Sequence, residues 1–347
     1  MNPYVRLLQE ALQGVGVSCS LMDGLSPRLV RSWQGTADIL HLHWPELLYT
    51  SSSFARSIRL LAAVLAGLVL AKRNGSKIVY TVHNLNPHEQ RFPSLHRVVN
   101  AILFVLADAL HVHDEQAEQD VARVYSRVMA WRGKRGRRLY VVPHGSYIGA
   151  YPNDCTKEEA RANLGLDARA FVYLFLGQIR RYKGIEDLIA AFSQLGDGTS
   201  RLVVAGHVHD AAYAEALRQL LQGQPAIHAR FEYVPDSEVQ YFMNACDVCV
   251  LPYRDVTTSG AAILAFSFGK PIIAPAMGAF PALASSGRGI LYDPEKSDGL
   301  LRALQQARLT DMEKAGGRAW DWAIEHQWSH LVPQFVRIYR EVWATGK

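Results

Sequence analysis

Short apolar runs alternate along the whole chain with longer stretches in which apolar positions recur every three or four residues. The first kind predicts buried strands and the second amphipathic helices, so the alternation predicts β-α units wound around parallel sheets. The predicted strands of the first half are Ile39–His43, Lys77–His83, Ala109–His113 and Leu139–Val142. Those of the second half are Phe171–Leu176, Arg201–Ala205, Arg230–Val234, Val248–Leu251 and Pro271–Ala274. Between the halves, residues 146–168 hold Gly149, Pro152 and Asp154 and read as a linker.

The pattern therefore predicts an α/β protein with two doubly wound domains, residues 1–150 and 168–325. The closing stretch "WSHLVPQFVRIYREVW" carries Leu331, Phe335, Ile338, Tyr339 and Val342 at helical spacing. A helix over 326–347 is expected to pack back toward the first domain. The chain opens on a helix, "PYVRLLQEALQGVGV", with Asn2 as its cap and a glycine stop. A doubly wound domain normally begins on a strand; here the first strand is absent, or the start is truncated. Leu60–Ala71 is the most apolar stretch, at about a dozen residues well short of a bilayer span. It reads first as a buried helix and second as a membrane-seated face.

A chain of 347 residues exceeds one ordinary core, in keeping with two domains. With 49% hydrophobic and 20% charged residues it is globular rather than disordered. A net charge of +5 favours anionic partners such as nucleotides, diphosphates, acidic lipid or nucleic acid, or merely aids solubility. Cys246 and Cys249 form C-x-x-C, but "ACDVCVLPY" reads as a buried strand and no second pair completes a zinc site. Buried thiols and the lack of an opening signal peptide fit a reducing cytosol.

In an open α/β sheet, ligands bind beyond the carboxyl ends of the strands. In "YLFLGQIRRYKGIEDLIAAF", Arg180, Arg181 and Lys183 follow such an end, framed by Gly177 and Gly184 and leading into a helix. Cations and a helix N-terminus both favour a phosphate; the plain alternative is a solvated basic loop. In "LPYRDVTTSGAAILAF", a helix starting at Ser259 or Gly260 leaves backbone N–H groups for a ligand. Thr257, Thr258 and Ser259 supply more hydroxyls than an ordinary cap needs, and Gly260 would let a ligand reach the backbone. In the first half, His41/His43 and His111/His113 have period-two spacing and share a face, as do His207/His209 in the second. Metal ligation is one reading of these pairs.

Together these segments resemble the GT-B glycosyltransferases of the family-4 (group 1) type. Gly177–Gly184 resembles their G-x-x-x-x-x-K-G loop, and "PYRDVTTSGAAILAFSFGKPIIA" resembles their donor-diphosphate segment. "DILHLHWPE", "YTVHNLNPHE", "LGQIRRYKGIE" and "LPYRDVTTSG" are similar to the β-1,4-mannosyltransferase-like subgroup of xanthan-type exopolysaccharide assembly.

The resemblance implies two Rossmann-like domains facing each other across a cleft. It also implies a nucleotide-diphosphate sugar, GDP-mannose first, and no metal or other cofactor. Arg180, Arg181 and Lys183 would hold the diphosphate from one side; Thr258, Ser259, Gly260 and Ala261 would hold it from the other. Gly177 and Tyr253 would join them, Gly206 would line the floor, and the strand end at Tyr233-Val234 would meet the nucleobase. The retaining members carry two glutamates eight positions apart, which fall here on Val256 and Leu264. Neither is acidic, although Asp255 adjoins the first, so an inverting transfer is expected.

Inversion needs a base for the acceptor hydroxyl from the N-terminal domain. Glu46 is the first candidate, with a helix cap as its alternative role, and Glu89 is the second. His83 would contact the transferred sugar, and His43, Asn84, His88 and His144 would line the acceptor side. The implied acceptor is a polyprenyl-diphosphate-linked glycan. "RVYSRVMAWRGKRGRR", with Arg123, Arg127, Arg132, Lys134, Arg135, Arg137 and Arg138 around Trp131, would suit anionic headgroups at the cytoplasmic face of a membrane. These basic residues fill one loop rather than a cleft, which argues against a nucleic-acid partner. The rival readings are a UDP-sugar enzyme with another acceptor and a nucleotide-sugar-binding subunit without turnover.

Overall fold

Four apolar runs of the first half pair as one parallel sheet in the order β1-β2-β3-β4. They are β1 (Ile39–His43), β2 (Lys77–Thr81), β3 (Ala109–Val112) and β4 (Leu139–Val141). The computed structural model describes residues 3–33, 37–83, 85 and 92–344. It divides into two compact units, residues 1–144 with 328–347, and residues 145–327.

In unit 1 the middle strands are covered on both faces, which is why they read as continuous apolar runs. Helix Phe54–Arg73 turns Ser57, Leu61, Val64, Gly67, Leu68 and Ala71 inward. At Gly67 a β-carbon would lie 3.1 Å from the Ser26 backbone nitrogen, so the glycine lets the neighbouring segment pack against this helix. This helix is longer than the sequence predicts: it has 20 residues and a mean hydropathy of 1.9, enough by length and composition to cross a membrane. Arg56 and Arg59 hid its first turns from a hydropathy reading, but both lie on its exposed side. Asp108 ties the end of the helix to the sheet, accepting from Lys72 Nζ at 2.6 Å and from the Ile78 N–H at 2.8 Å. Helices Pro3–Gly14 and Trp328–Ala344 pack against each other, and the latter also against β2.

Unit 2 contains β5 (Phe171–Leu176), β6 (Ser200–Ala205), β7 (Ile227–Arg230), β8 (Val248–Val250), β9 (Ile272–Pro275) and β10 (Gly289–Tyr292). All are parallel, in the order β10-β9-β8-β5-β6-β7. The chain builds outward from β5 through β6 and β7, then returns to lay β8 on the other side of β5. The carboxyl ends of β5 and β8 therefore flank the topological switch point, where such sheets form their crevice.

Three expectations need correction. The seventh strand is Ile227–Arg230, not Arg230–Val234, because its register with β6 ends at Ala205↔Arg230 and the chain leaves the sheet before Pro235. The sequence reading misses β10, a four-residue edge strand with one buried side chain and hence no apolar run. Residues 146–168 are not a free linker but part of unit 2. There the Ser146 N–H donates to His326 O at 2.8 Å, the Tyr147 N–H to Ser267 Oγ at 2.8 Å, and helix Lys157–Asn163 starts on a Thr156/Glu159 capping box.

Candidate active site

In unit 2 the candidate site begins where two strand ends touch. Gly177 and Gly206 sit at φ +144° and +147°, and a β-carbon on Gly206 would fall 1.7 Å from the Gly177 carbonyl oxygen. Beyond them the chain turns through Arg181–Lys183 to Gly184, at φ +66°. A β-carbon on Gly184 would lie 2.1 Å from Pro252 O, and the Arg254 N–H donates to Tyr182 O at 2.8 Å. The basic loop is thus seated directly on the segment that follows β8.

That seating places the half-buried Lys183 ammonium 3.5 Å over the Tyr253 ring centroid and 5.2 Å from that of Tyr182. Burial pushes its pKa down to about 7. The neighbouring cations are engaged differently. Arg181 lies 4.6 Å over the Tyr213 ring and 3.4 Å from Asp210, and Arg254 pairs with Asp187 at 2.8 Å. Arg180 reaches Gln178 at 3.5 Å.

On the other side, Ser259 caps helix Gly260–Ser267, its Oγ accepting from the Ala262 N–H at 3.3 Å. The Gly260 and Ala261 N–H groups stand at the helix start, where no preceding turn supplies an acceptor. The space over Gly260 is not open: a β-carbon there would meet the Tyr147 hydroxyl at 3.2 Å. Val256 is buried and Leu264 packs against the core, so neither family glutamate has an acidic stand-in at its own position. Tyr233 and Val234 are not at a strand end. Tyr233 is 67% exposed beyond β7 and Val234 is buried.

In unit 1, the carboxyl ends of β1, β2 and β3 gather histidines whose hydrogen-bond partners fix where their protons lie. His111 Nε2 lies 2.9 Å from Val142 O, and a carbonyl only accepts, so His111 carries its proton there. Its Nδ1 must then accept from the Thr81 hydroxyl at 2.9 Å. Thr81 in turn accepts from His41 Nε2 at 2.7 Å, and His41 Nδ1 accepts from Tyr339 at 2.7 Å. His83 bridges His43 at 3.0 Å and His113 at 3.1 Å, with Trp44 stacked on it at 3.9 Å.

Burial holds all these rings neutral. The pKa falls to about 3 for His43 and about 4 for His111; His41, His83 and His113 are also well below the usual value, helped by mutual repulsion. His144 joins the group, 5.0 Å from His113 and 4.9 Å from Tyr4 by ring centroids. Among the described residues no group of three or more His, Cys, Asp or Glu side chains is placed to hold a metal.

Beside this cluster Trp44 adopts φ 45°, a conformation that a bulky residue rarely takes and that marks stored strain. Sequence reasoning had no signal for it. Two residues on, Glu46 is the first residue of helix Glu46–Tyr49, whose N-cap is Pro45, so the cap reading does not hold. Burial raises its pKa to about 7, against a smaller opposing hydrogen bond from its own N–H. Asn84, His88 and Glu89 lie outside the described residues.

Much of the basic run proves structural. Arg132 is fully buried and donates to Phe104 O, to Ala107 O at 2.8 Å and to Arg138 O at 3.3 Å, closing the end of helix Pro93–Leu106. Arg137 donates to Val105 O, and Arg138 lies 3.3 Å from Glu341. Arg135 stacks 4.5 Å over Trp131.

Residues 170–308 match the family described as glycosyl transferases group 1. The chain is 26% identical to a GDP-mannose:glycolipid 4-beta-D-mannosyltransferase of Xanthomonas campestris pv. campestris, over all of this chain and 89% of the relative. It is 28% identical to D-inositol 3-phosphate glycosyltransferase 1 of Catenulispora acidiphila, over 81% of this chain and 70% of that protein. Among solved structures it resembles a sucrose-phosphate synthase from Thermosynechococcus elongatus, at a TM-score of 0.74 and 20% identity, over 99% and 93% of the two chains. It also resembles Anabaena HepE in complex with UDP-glucose, at a TM-score of 0.65 and 17% identity, over 88% and 79%.

Proposed function

The chain is a glycosyltransferase of GT-B fold with a group 1 glycosyl transferase domain, and on that premise we propose that it moves mannose from GDP-mannose, with inversion, onto a lipid-diphosphate-linked glycan in exopolysaccharide assembly. The observation that carries the donor side is Lys183. It is a half-buried ammonium on the loop that follows β5, with no carboxylate partner among the described residues, so an anion is its natural complement. The similarity to a GDP-mannose:glycolipid enzyme across the whole chain supports mannose and a glycolipid acceptor.

In the proposed reaction the acceptor oxygen bonds to the anomeric carbon as the bond from that carbon to the diphosphate breaks. GDP leaves with the electron pair, and the acceptor proton goes to Glu46. A pKa of about 7 suits Glu46 to take that proton near neutrality. Lys183, Arg180, Arg181 and the N–H groups of Gly260 and Ala261 stabilise the departing charge, in this reading without a metal. Val256, which is buried, and Leu264, which packs against the core, leave no carboxylate at the positions a retaining relative uses, which favours inversion.

We place the enzyme at the cytoplasmic face of a membrane, held peripherally through the exposed Phe54, Ile58 and Val69 of helix Phe54–Arg73 and nearby cations. A UDP-hexose donor is the second reading, favoured by the likeness to HepE bound to UDP-glucose. Thermal shifts with GDP, UDP and their sugars separate the two, and silence from every nucleotide would overturn both. Lys183→Ala is expected to abolish the shift, and the anomeric configuration of the product reports inversion.

A further inference from the structure

Among the described residues no carboxylate pairs with Lys183, and burial alone lowers its pKa. Glu186 and Asp187, in the first turn of the following helix, are engaged by Arg254 at 3.7 and 2.8 Å. Asp210, beyond β6, takes Arg181 at 3.4 Å, and Asp255, after β8, is exposed. What faces the ammonium directly is aromatic: Tyr182 on its own loop and Tyr253 on the segment after β8.

Tyr253 is buried and braced edge-on against Phe280 at 5.5 Å, on the segment that leads from β8 to Ser259. Ser259 is the cap of helix Gly260–Ser267. Tyr253 therefore meets Lys183 through its ring while standing on the segment that runs into the other half of the proposed diphosphate cradle.

We infer that Tyr253 is a positioning residue for the donor: its ring holds the Lys183 ammonium without a counter-charge, on the segment that runs into helix Gly260–Ser267. This rests on the donor reading above and adds to it a proton. A lysine desolvated without a carboxylate partner loses its charge easily, and an arriving diphosphate restores it. Donor binding is then linked to proton uptake. The desolvation that brings Lys183 to about 7 sets the range in which the linkage shows.

The test is the affinity for GDP and UDP, by calorimetry, at several values between about pH 6 and 8.5, where an ordinary lysine stays charged. Wild-type affinity is expected to fall by about tenfold per unit above pH 7, a slope of one proton. Tyr253→Phe keeps the ring, so it should keep both that slope and the affinity. Tyr253→Ala admits water, so it should flatten the profile and bind about tenfold more weakly at pH 7 while its circular dichroism stays native. If Tyr253→Ala does not fold, Tyr253→Phe and Lys183→Arg decide, because Lys183→Arg should bind without any slope. Unchanged affinity and slope in Tyr253→Ala, a lost slope in Tyr253→Phe, or a slope that persists in Lys183→Arg overturns the inference alone. A wild type that binds neither nucleotide overturns the donor reading with it.

Discussion

Gly206 lies against Gly177 so closely that no side chain fits between them: a β-carbon on Gly206 would stand 1.7 Å from the Gly177 carbonyl oxygen. The two strand ends make one continuous floor for the loop that carries Lys183. Gly206→Ala must push β6 from β5 at this edge and strain φ +147° as well. A loss of about 2–4 kcal/mol is expected in urea unfolding, together with weakened nucleotide binding. An unchanged unfolding midpoint would show that the strand ends yield freely.

Glu46 offers a test of mechanism through pH. Its raised pKa means that it is protonated, and unable to accept a proton, below about 7. The turnover number is therefore expected to fall as pH drops through 7, and Glu46→Gln should remove turnover while leaving nucleotide binding intact. The folded form holds the proton more tightly than the unfolded one, so stability falls as pH rises from about 4.5 to 7. Glu46→Gln should accordingly raise the melting temperature above pH 7. A variant with full turnover removes Glu46 from the base role.

The histidine cluster predicts the opposite slope. His41, His43, His83, His111 and His113 stay neutral when folded but take up protons near pH 6.5 when unfolded. Their contribution is complete above that value and is lost progressively as pH falls toward 4. Unfolding followed by fluorescence should show unit 1 weakening steeply below pH 6, and a flat profile would mean that the rings are hydrated.

Thr81 links His41 to His111 by accepting from one and donating to the other. Thr81→Val keeps the shape and strands two buried ring nitrogens, at an expected cost of about 2–4 kcal/mol. Thr81→Ser should restore most of it. Equal stability of the valine and serine variants would rule out this proton order.

The basic run divides into two kinds of residue. Arg132→Ala removes a buried cap of helix Pro93–Leu106 and should cost about 2–4 kcal/mol. Arg127, Lys134 and Arg135 are exposed, and changing them to glutamine should leave stability unaltered while weakening flotation with anionic vesicles. Unaltered flotation would remove this surface from membrane attachment.

Alternation of apolar runs was enough to place most strands, because a strand buried on both faces must be apolar throughout. It failed at β7 and β10, where an outer position in the sheet lets half the side chains face water. The basic loop after β5 was legible as a strand-end turn because glycines at left-handed φ are local requirements, written in adjacent residues. Helix Phe54–Arg73 was read too short because charge on its exposed side masked the apolar face.

What the sequence determined by itself was the fold class, the two parallel sheets and the loops at their carboxyl ends. Only the tertiary structure decided what those loops do to individual groups. Lys183 meets Tyr253 across 70 positions of sequence because Gly184 admits Pro252; Glu46 is poised near neutrality because its surroundings exclude water. Periodicity encodes which side of an element is buried. The charge state of a buried group depends on what stands opposite it, and that is settled only when distant segments meet.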